Sequence, residues 1–465
     1  MSTKKVESEQ SSSAKDVSRR DFIRATTIAA ATVSAGCATA QNSIAKNILP
    51  ATILGANEKI RTGHIGVGQM GKRDLQFTLM QDELQPIAVC DLIEKNRGQA
   101  ADMVENKYPR PTMHERLEEI IENKDIDAVV IVTPDHWHTI PGIMACEAGK
   151  DVWCEKPLTT SILEGQPIID AVRKNKRVFQ CGNFQRSGLH FQEAVQMIRD
   201  GYIGKVARVE TWIHDSEPST GMGVPPPMDP PPGFDWLRYQ GWTPRTAYDP
   251  TRVEYHFRWF LDYSGGKMTD WGAHLIDIVL WAMGEDKPPR EVMGFGQKYV
   301  LTDNRTTPDT CEVLYRFDDY VLSFSNRVWN GVVSPNRYGI KFHGTLGTLY
   351  IDRLGYEVTP IKDLCAAKSV TDVKEGDMNV AHWRNWIDCL KSRKDPICFV
   401  ESAFNTAKVC HMGTSAYVAG GRLSWDNEKN KFTGEDTAAA KRANDFAYRP
   451  YQNGYALKSP YIPTA

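Results

Sequence analysis

Three side chains in this sequence have the types and spacing to move a proton and to hold a developing negative charge. One is Lys156, at the end of the apolar run Val152-Trp153-Cys154 and followed by Pro157. The others are Asp270 and His274, four residues apart in a segment that turns strongly apolar. An imidazole oriented by a carboxylate can take the proton of a hydroxyl, and a lysine can bind the oxygen that loses it. At helical spacing Asp270, His274 and Asp277 share one face, so these polar groups are buried unless they face a cavity. Taken alone, Asp270 and His274 read equally as a buried histidine satisfied by a neighbouring acid.

Elements must bring these groups together. Because Pro157 has no N–H, it ends the strand before it and leaves Glu155 and Lys156 at the strand's C-terminal edge, where open parallel sheets bind ligands. Upstream, Gly66-Val67-Gly68-Gln69-Met70-Gly71 follows an apolar strand and opens a helix. Such glycines permit a tight turn and close approach of backbone to a pyrophosphate held at a helix N-terminus. The next strand ends in Asp91, twenty residues past Gly71, placed to accept hydrogen bonds from ribose hydroxyls. That favours NAD over NADP, although Lys95 and Arg97 lie close enough to meet a 2′-phosphate. A further apolar strand stops at Thr133-Pro134, with His138 just beyond, and the strand ending at Cys181 leads to Asn183 and Arg186. Strands and helices that alternate in this way, with strands apolar throughout, indicate an α/β fold with a doubly wound parallel sheet. Gly66, Gly68, Gln69, Met70, Gly71, Asp91, Thr133, Pro134, His138, Glu155, Lys156 and Asn183 are expected on the cofactor. Lys156, Arg186, Tyr263, Asp270 and His274 are expected on the substrate.

From about residue 205 the pattern becomes one of alternating strands separated by turns, which indicates an α+β part with a large, mostly antiparallel open sheet. Sheets of this kind often form oligomer interfaces, so a homo-oligomer is expected. Residues 217–235 carry seven prolines between Pro218 and Pro232 and read either as an ordered arm over a site or as a plain linker. Trp236, Tyr239, Trp242, Tyr255, Trp259 and Tyr263 follow; flat faces of this kind suit sugar rings, or else build core.

The 465 residues exceed what one core usually serves, and 56 basic against 58 acidic residues give no electrostatic case for nucleic acid. Ten cysteines without a CxxC pair indicate neither a metal site nor a disulfide framework. At the N-terminus, Arg19-Arg20-Asp21-Phe22-Ile23 precedes a weakly apolar run ending in Ala38-Thr39-Ala40. This resembles a twin-arginine signal for export to the periplasm through that machinery, and Ser34-Ala35-Gly36-Cys37 offers lipid anchoring at Cys37 as an alternative end. The expected organisation is a signal over 1–40, a linker over 41–58, a Rossmann domain over 59–182, a substrate and oligomerisation domain over 183–445 and a tail over 446–465.

In combination, the strand-GxGxxG-helix unit, Asp91, Thr133-Pro134 with His138, Glu155-Lys156-Pro157 and Asp270-x-Gly272-x-His274 resemble the glucose-fructose oxidoreductase and inositol dehydrogenase (Gfo/Idh/MocA) family over roughly residues 59–425. The resemblance implies a sugar, glycoside or polyol dehydrogenase, with C3 of a glycoside among the positions oxidised. By it, Lys156, His274 and Asp270 form the catalytic set, and NAD is tightly held. It equally admits an NAD-retaining glycosidase or lyase working through a transient keto-sugar, although the family's glycosidase branch departs from Glu-Lys-Pro. A non-catalytic NAD or sugar binder on the same fold is the third alternative.

Overall fold

The computed structural model describes residues 59–332 and 335–457. The expected signal with Arg19, Arg20 and Cys37, the linker, and the last residues of the tail lie outside these. Strands β1 (Ile60–Ile65), β2 (Leu84–Cys90), β3 (Thr112–His114), β4 (Ala128–Ile131), β5 (Asp151–Cys154) and β6 (Phe179–Cys181) form one sheet in the order β3-β2-β1-β4-β5-β6. All of its pairings are parallel. Strands β4, β5 and β6 are buried at every position, because helices cover both faces and no residue can afford to be polar on either side. Strand order reverses between β1 and β4, and a crevice opens there at the strands' C-terminal ends.

The second sheet has ten strands in the order β14-β13-β12-β11-β7-β10-β9-β8-β15-β16. Its centre is β7 (Val206–His214), β8 (Glu291–Gln297), β9 (Thr310–Arg316), β10 (Val321–Arg327) and β11 (Tyr338–Gly344). Its other half adds β12 (Gly347–Asp352), β13 (Gly355–Pro360), β14 (Lys368–Val370), β15 (Gly421–Asp426) and β16 (Lys431–Thr433). Alternation does the sorting: Cys311, Val313 and Tyr315 of β9 point inward while Glu312, Leu314 and Arg316 point out. The inner face packs on helices Gly272–Met283 and Val400–Ala419. The outer face leaves Phe295 69% exposed, together with Leu314 and Val321. One pairing departs from the antiparallel expectation. Strands β7 and β10 run parallel, because the chain leaves β7 through the proline-rich arm and returns only after β8 and β9 are laid down.

A helix from the C-terminal part is built into the first sheet. The Trp153 ring of β5 stacks on Trp383 at 3.8 Å, and Trp386 meets it edge-on at 5.8 Å; all three are almost fully buried. His382 Nε2 donates to the carbonyl of Cys181 at 2.8 Å, and its own carbonyl accepts from Gln180 at 2.7 Å. The helix carrying these residues spans Glu375–Ser392. Removing one ring of this stack leaves a void that the packed neighbours cannot close. Trp383→Ala is expected to lower stability by about 3–5 kcal/mol in urea denaturation, as large aromatic truncations in cores do.

Candidate active site

Lys156 sits where β5 has ended, and its ammonium is captured by one residue from the other side of the crevice. Its Nζ donates to the Asp270 carboxylate at 2.6 Å and to the Asp270 carbonyl at 3.0 Å. The Arg258 guanidinium reaches the same carboxylate oxygen at 3.0 Å. Burial on its own would raise the Asp270 pKa, but Lys156 first, then Arg258 and Lys267, hold it well below the usual carboxylate range. The carboxylate is therefore ionised and fully engaged by cations.

His274 lies close by but is not oriented by Asp270, which corrects the expected pairing. No hydrogen bond joins the two side chains among the described residues. The reason lies in the backbone: the Asp270 carbonyl accepts from Lys156, and the His274 N–H bonds to the Trp271 carbonyl instead. The helix is broken at this point into Lys267–Asp270 and Gly272–Met283. The imidazole is set between the edges of Phe184 and Trp271, at 5.2 and 5.9 Å, with its Nδ1 buried and unpartnered. Burial, then the charges of Lys156 and Arg353, keep its pKa well below the ordinary histidine value, so the ring is neutral.

Two groups at this site escaped the sequence reading. Arg258 lies in the 3-10 segment Glu254–Trp259, where only the aromatics stood out. Asp135 is buried beside the cation cluster and accepts from the Ser264 hydroxyl at 2.5 Å. Burial pushes its pKa to about 7, against the Ser264 hydrogen bond and the positive charges of Arg258 and Lys156.

The expected cofactor residues divide into those that form a cradle and those that support it. Gly66 has φ +82°, and a Cβ there would lie 2.6 Å from the Val132 carbonyl. A Cβ at Gly71 would lie 2.1 Å from the Gly66 carbonyl, so both glycines are needed for the turn itself. Gly68 differs: a Cβ there would meet nothing nearer than 3.9 Å, which leaves open the space a pyrophosphate needs. Helix Gln69–Leu79 starts at Gly68 with no side-chain cap, so the N–H groups of Gln69, Met70 and Gly71 face that space. A cleft lined by Gly66, Asp91, Thr133, Pro134, Phe234 and Tyr239 continues from it. The Asp91 carboxylate accepts from the backbone N–H of Val67 and Ile93, both at 2.9 Å, and its remaining lone pairs suit ribose hydroxyls. Arg97 is spent on the Asp91 carbonyl, which removes one of the two cations considered for a 2′-phosphate. These features fit NAD.

Other assignments are corrected. Both ring nitrogens of His138 face carbonyls, those of Pro157 at 2.7 Å and Thr133 at 2.9 Å, so it ties the two loops together from beneath. Asn183 donates to the Ala273 carbonyl at 2.7 Å and anchors helix Gly272–Met283. Glu155 is buried, accepts from the Lys156 backbone N–H and packs where a Cβ on Gly182 would be; burial lifts its pKa to about 7. Arg186 is 1% exposed and grips Asp277 through Nε and Nη2 at 2.7–3.0 Å, out of reach of any substrate. Asp277 is thereby also removed from the face shared with His274. Tyr263 is fully buried, its ring 4.7 Å from that of His136.

A nucleotide cradle at the switch point, facing a lysine and an unpartnered histidine, defines an oxidoreductase with an NAD-binding Rossmann fold. The model of the Gfo/Idh/MocA oxidoreductase family with that fold matches residues 60–183, and the model of the Gfo/Idh/MocA C-terminal domain matches residues 237–350. Together they cover just over half of the chain, which belongs to the Gfo/Idh/MocA family. Myo-inositol 2-dehydrogenase of Thermotoga maritima is 25% identical over 308 residues, 63% of this chain and 76% of that one. Alpha-N-acetylgalactosaminidase of Shewanella oneidensis is 29% identical over 167 residues, only 34% of this chain and 36% of that one. The fold is shared with the WlbA dehydrogenase of Bordetella pertussis, solved with NADH and UDP-GlcNAcA (TM-score 0.60, 18% identity, 79% of this chain and 99% of that one).

Two outcomes check these placements. Arg186→Met leaves Asp277 buried without its cation and is expected to cost about 3–5 kcal/mol of stability in denaturant titration, with KM within about twofold of wild type at permissive temperature. Asp135 ionises near pH 7 in the field of Lys156. The pH profile of kcat/KM is therefore expected to carry an inflection near pH 7 that Asp135→Asn removes; an unchanged profile would uncouple Asp135 from the site.

Proposed function

We propose that this chain is an exported NAD-dependent oxidoreductase that converts a secondary hydroxyl of a sugar, glycoside or polyol to the ketone. One observation carries the reading: Lys156, held by Asp270, which Arg258 grips in turn, lies beside a neutral histidine with an unpartnered nitrogen, at the strand edge that holds the nucleotide cradle. The inositol dehydrogenase relative supports a polyol or sugar as substrate. Export rests on Arg19-Arg20 and the run after them, with Cys37 as the alternative lipid anchor. Assembly into a homo-oligomer rests on the open outer face of the second sheet, where Phe295 and Leu314 stand exposed.

In this reading Lys156 binds the substrate oxygen and favours its negative form as the proton departs. His274 receives that proton on a ring nitrogen: the substrate O–H bond breaks and an N–H bond forms. Neutrality is what makes His274 able to accept; burial imposes it, and the charge of the neighbouring lysine adds to it. Bound NAD supplies the hydride acceptor. Asp270 holds the lysine in place and Arg258 holds Asp270, so both are positioning residues. Gly66, Gly68, Gln69, Met70, Gly71 and Asp91 would hold the cofactor.

A second reading, favoured by the partial match to the galactosaminidase, retains NAD through a keto intermediate of the sugar and cleaves a glycosidic or neighbouring bond. Net NADH separates the two: oxidation accumulates it with substrate consumed, and the cleavage cycle does not. Lys156→Ala is expected to lower kcat about 10²–10³-fold in the nicotinamide absorbance assay, the scale of losing one stabilising group at a developing oxyanion. Wild-type turnover in that variant would remove the proposed role.

A further inference from the structure

Beside the segment that carries Arg258 lies a cavity of about 480 Å³, within the size range of small-molecule sites. The proline-rich arm forms one wall through Glu217 and Met222, and the 3-10 segment that carries Arg258 forms another through Tyr255 and Trp259. The cavity is therefore one side chain away from the clamp on Lys156. Lys267, three residues before Asp270, forms an ion pair with the cavity's Asp215 at 2.5 Å.

We propose that this cavity receives a second sugar ring, so that the substrate is a disaccharide, oligosaccharide or glycoside whose oxidised ring lies at Lys156 and His274. The inference rests on the sugar-oxidising reading above and narrows its substrate class. Three observations carry it. First, of the nine Phe, Trp and Tyr side chains in the run from Trp236 to Tyr263, only Tyr255 is exposed, at 46%; the other eight are buried. Its ring lies in the cavity wall with Arg258 stacked at 4.1 Å, and it offers an apolar face to a pyranose.

Second, the charges cancel. Asp215 is held between Lys267 and Arg337, and Glu217 is held by Arg305 at 2.6 Å. A cavity lined by neutralised pairs selects against phosphate or carboxylate ligands, while its carboxylate lone pairs and guanidinium N–H groups match the donors and acceptors of vicinal hydroxyls. Third, Arg305 is wholly buried in the wall; its Nε and Nη2 are given to Asp303 and Glu217, yet its Nη1 has no acceptor in the protein. Its guanidinium also lies over the Trp259 ring of the same wall at 4.7 Å, so this side of the cavity is fixed before any ligand arrives.

The test uses the full chain with NAD and compares kcat/KM for monosaccharides with that for disaccharides of differing linkage and for aryl glycosides, in wild type, Met222→Trp and Tyr255→Ala. Met222→Trp narrows the cavity from the arm without touching the clamp on Lys156. At least one two-ring substrate is expected to exceed its monosaccharide about tenfold or more, and that ratio is expected to fall about tenfold in both variants, mainly through KM. Equal kcat/KM for one-ring and two-ring substrates, or an equal loss for both in Met222→Trp, would overturn the proposal. If no sugar is oxidised at all, the dehydrogenase reading fails, and calorimetric titration of the same disaccharides decides the cavity separately. Binding lost in Met222→Trp keeps the subsite; no binding to wild type rejects it.

Discussion

The structure depends on a buried charge problem and its solution. Lys156, Arg258 and Asp270 are all withdrawn from water, where an isolated ion costs several kcal/mol. Lys156 comes from the edge of the parallel sheet, Asp270 from the broken helix that opens Gly272–Met283, and Arg258 from the 3-10 segment behind it. None of these charges is tolerable without the other two elements in place. Two cations facing one carboxylate leave a positive field in the crevice, which suits an oxygen about to become anionic; His274 is kept neutral by burial first and by the Lys156 charge second.

The fold was largely legible because its signals are local. Continuous apolar strands, the glycine turn at Gly66 to Gly71 and the Pro157 stop each constrain a few neighbouring residues, and β1, β2, β4, β5 and β6 follow from them in order; β3, three residues with none buried, carries no such signal. The second sheet shows its alternation in β7 and in β9 to β12, but neither the edge strands β13 to β16 nor β8 were legible: in β8, Gly294 and Gly296 interrupt the pattern, each packing against Tyr417 or Val313 where a side chain would clash. The parallel β7–β10 pairing could not be read, because it depends on where the chain goes between the two strands.

The site was legible in its members more than in its pairings. Lys156, Asp270 and His274 do converge, yet helical spacing paired Asp270 with His274, and the fold gave Asp270 to Lys156 and Arg258. Spacing ranks neighbours along one helix, and a cation from another element outbids them at 2.6 Å. Arg186 shows the reverse error, since an arginine after a strand end looks free until Asp277 arrives from a helix 91 residues later. The proline-rich arm proved to be a wall: its start frames the cavity at Glu217 and Met222, and its end brings Phe234 to the cleft beside Asp91.

The tryptophan stack on β5 has a bearing on how the molecule is made. Cys181 at the end of β6 and His382 are 201 residues apart, and Trp153 waits for the same helix to cover it. Until Glu375–Ser392 emerges from the ribosome, the nucleotide-binding sheet presents an indole and open strand edges to its surroundings, a state prone to wrong associations. The cofactor half thus cannot mature as an autonomous early unit. It closes only near the end of synthesis, together with the rest of the protein, which ties loading of the nucleotide to completion of the whole chain.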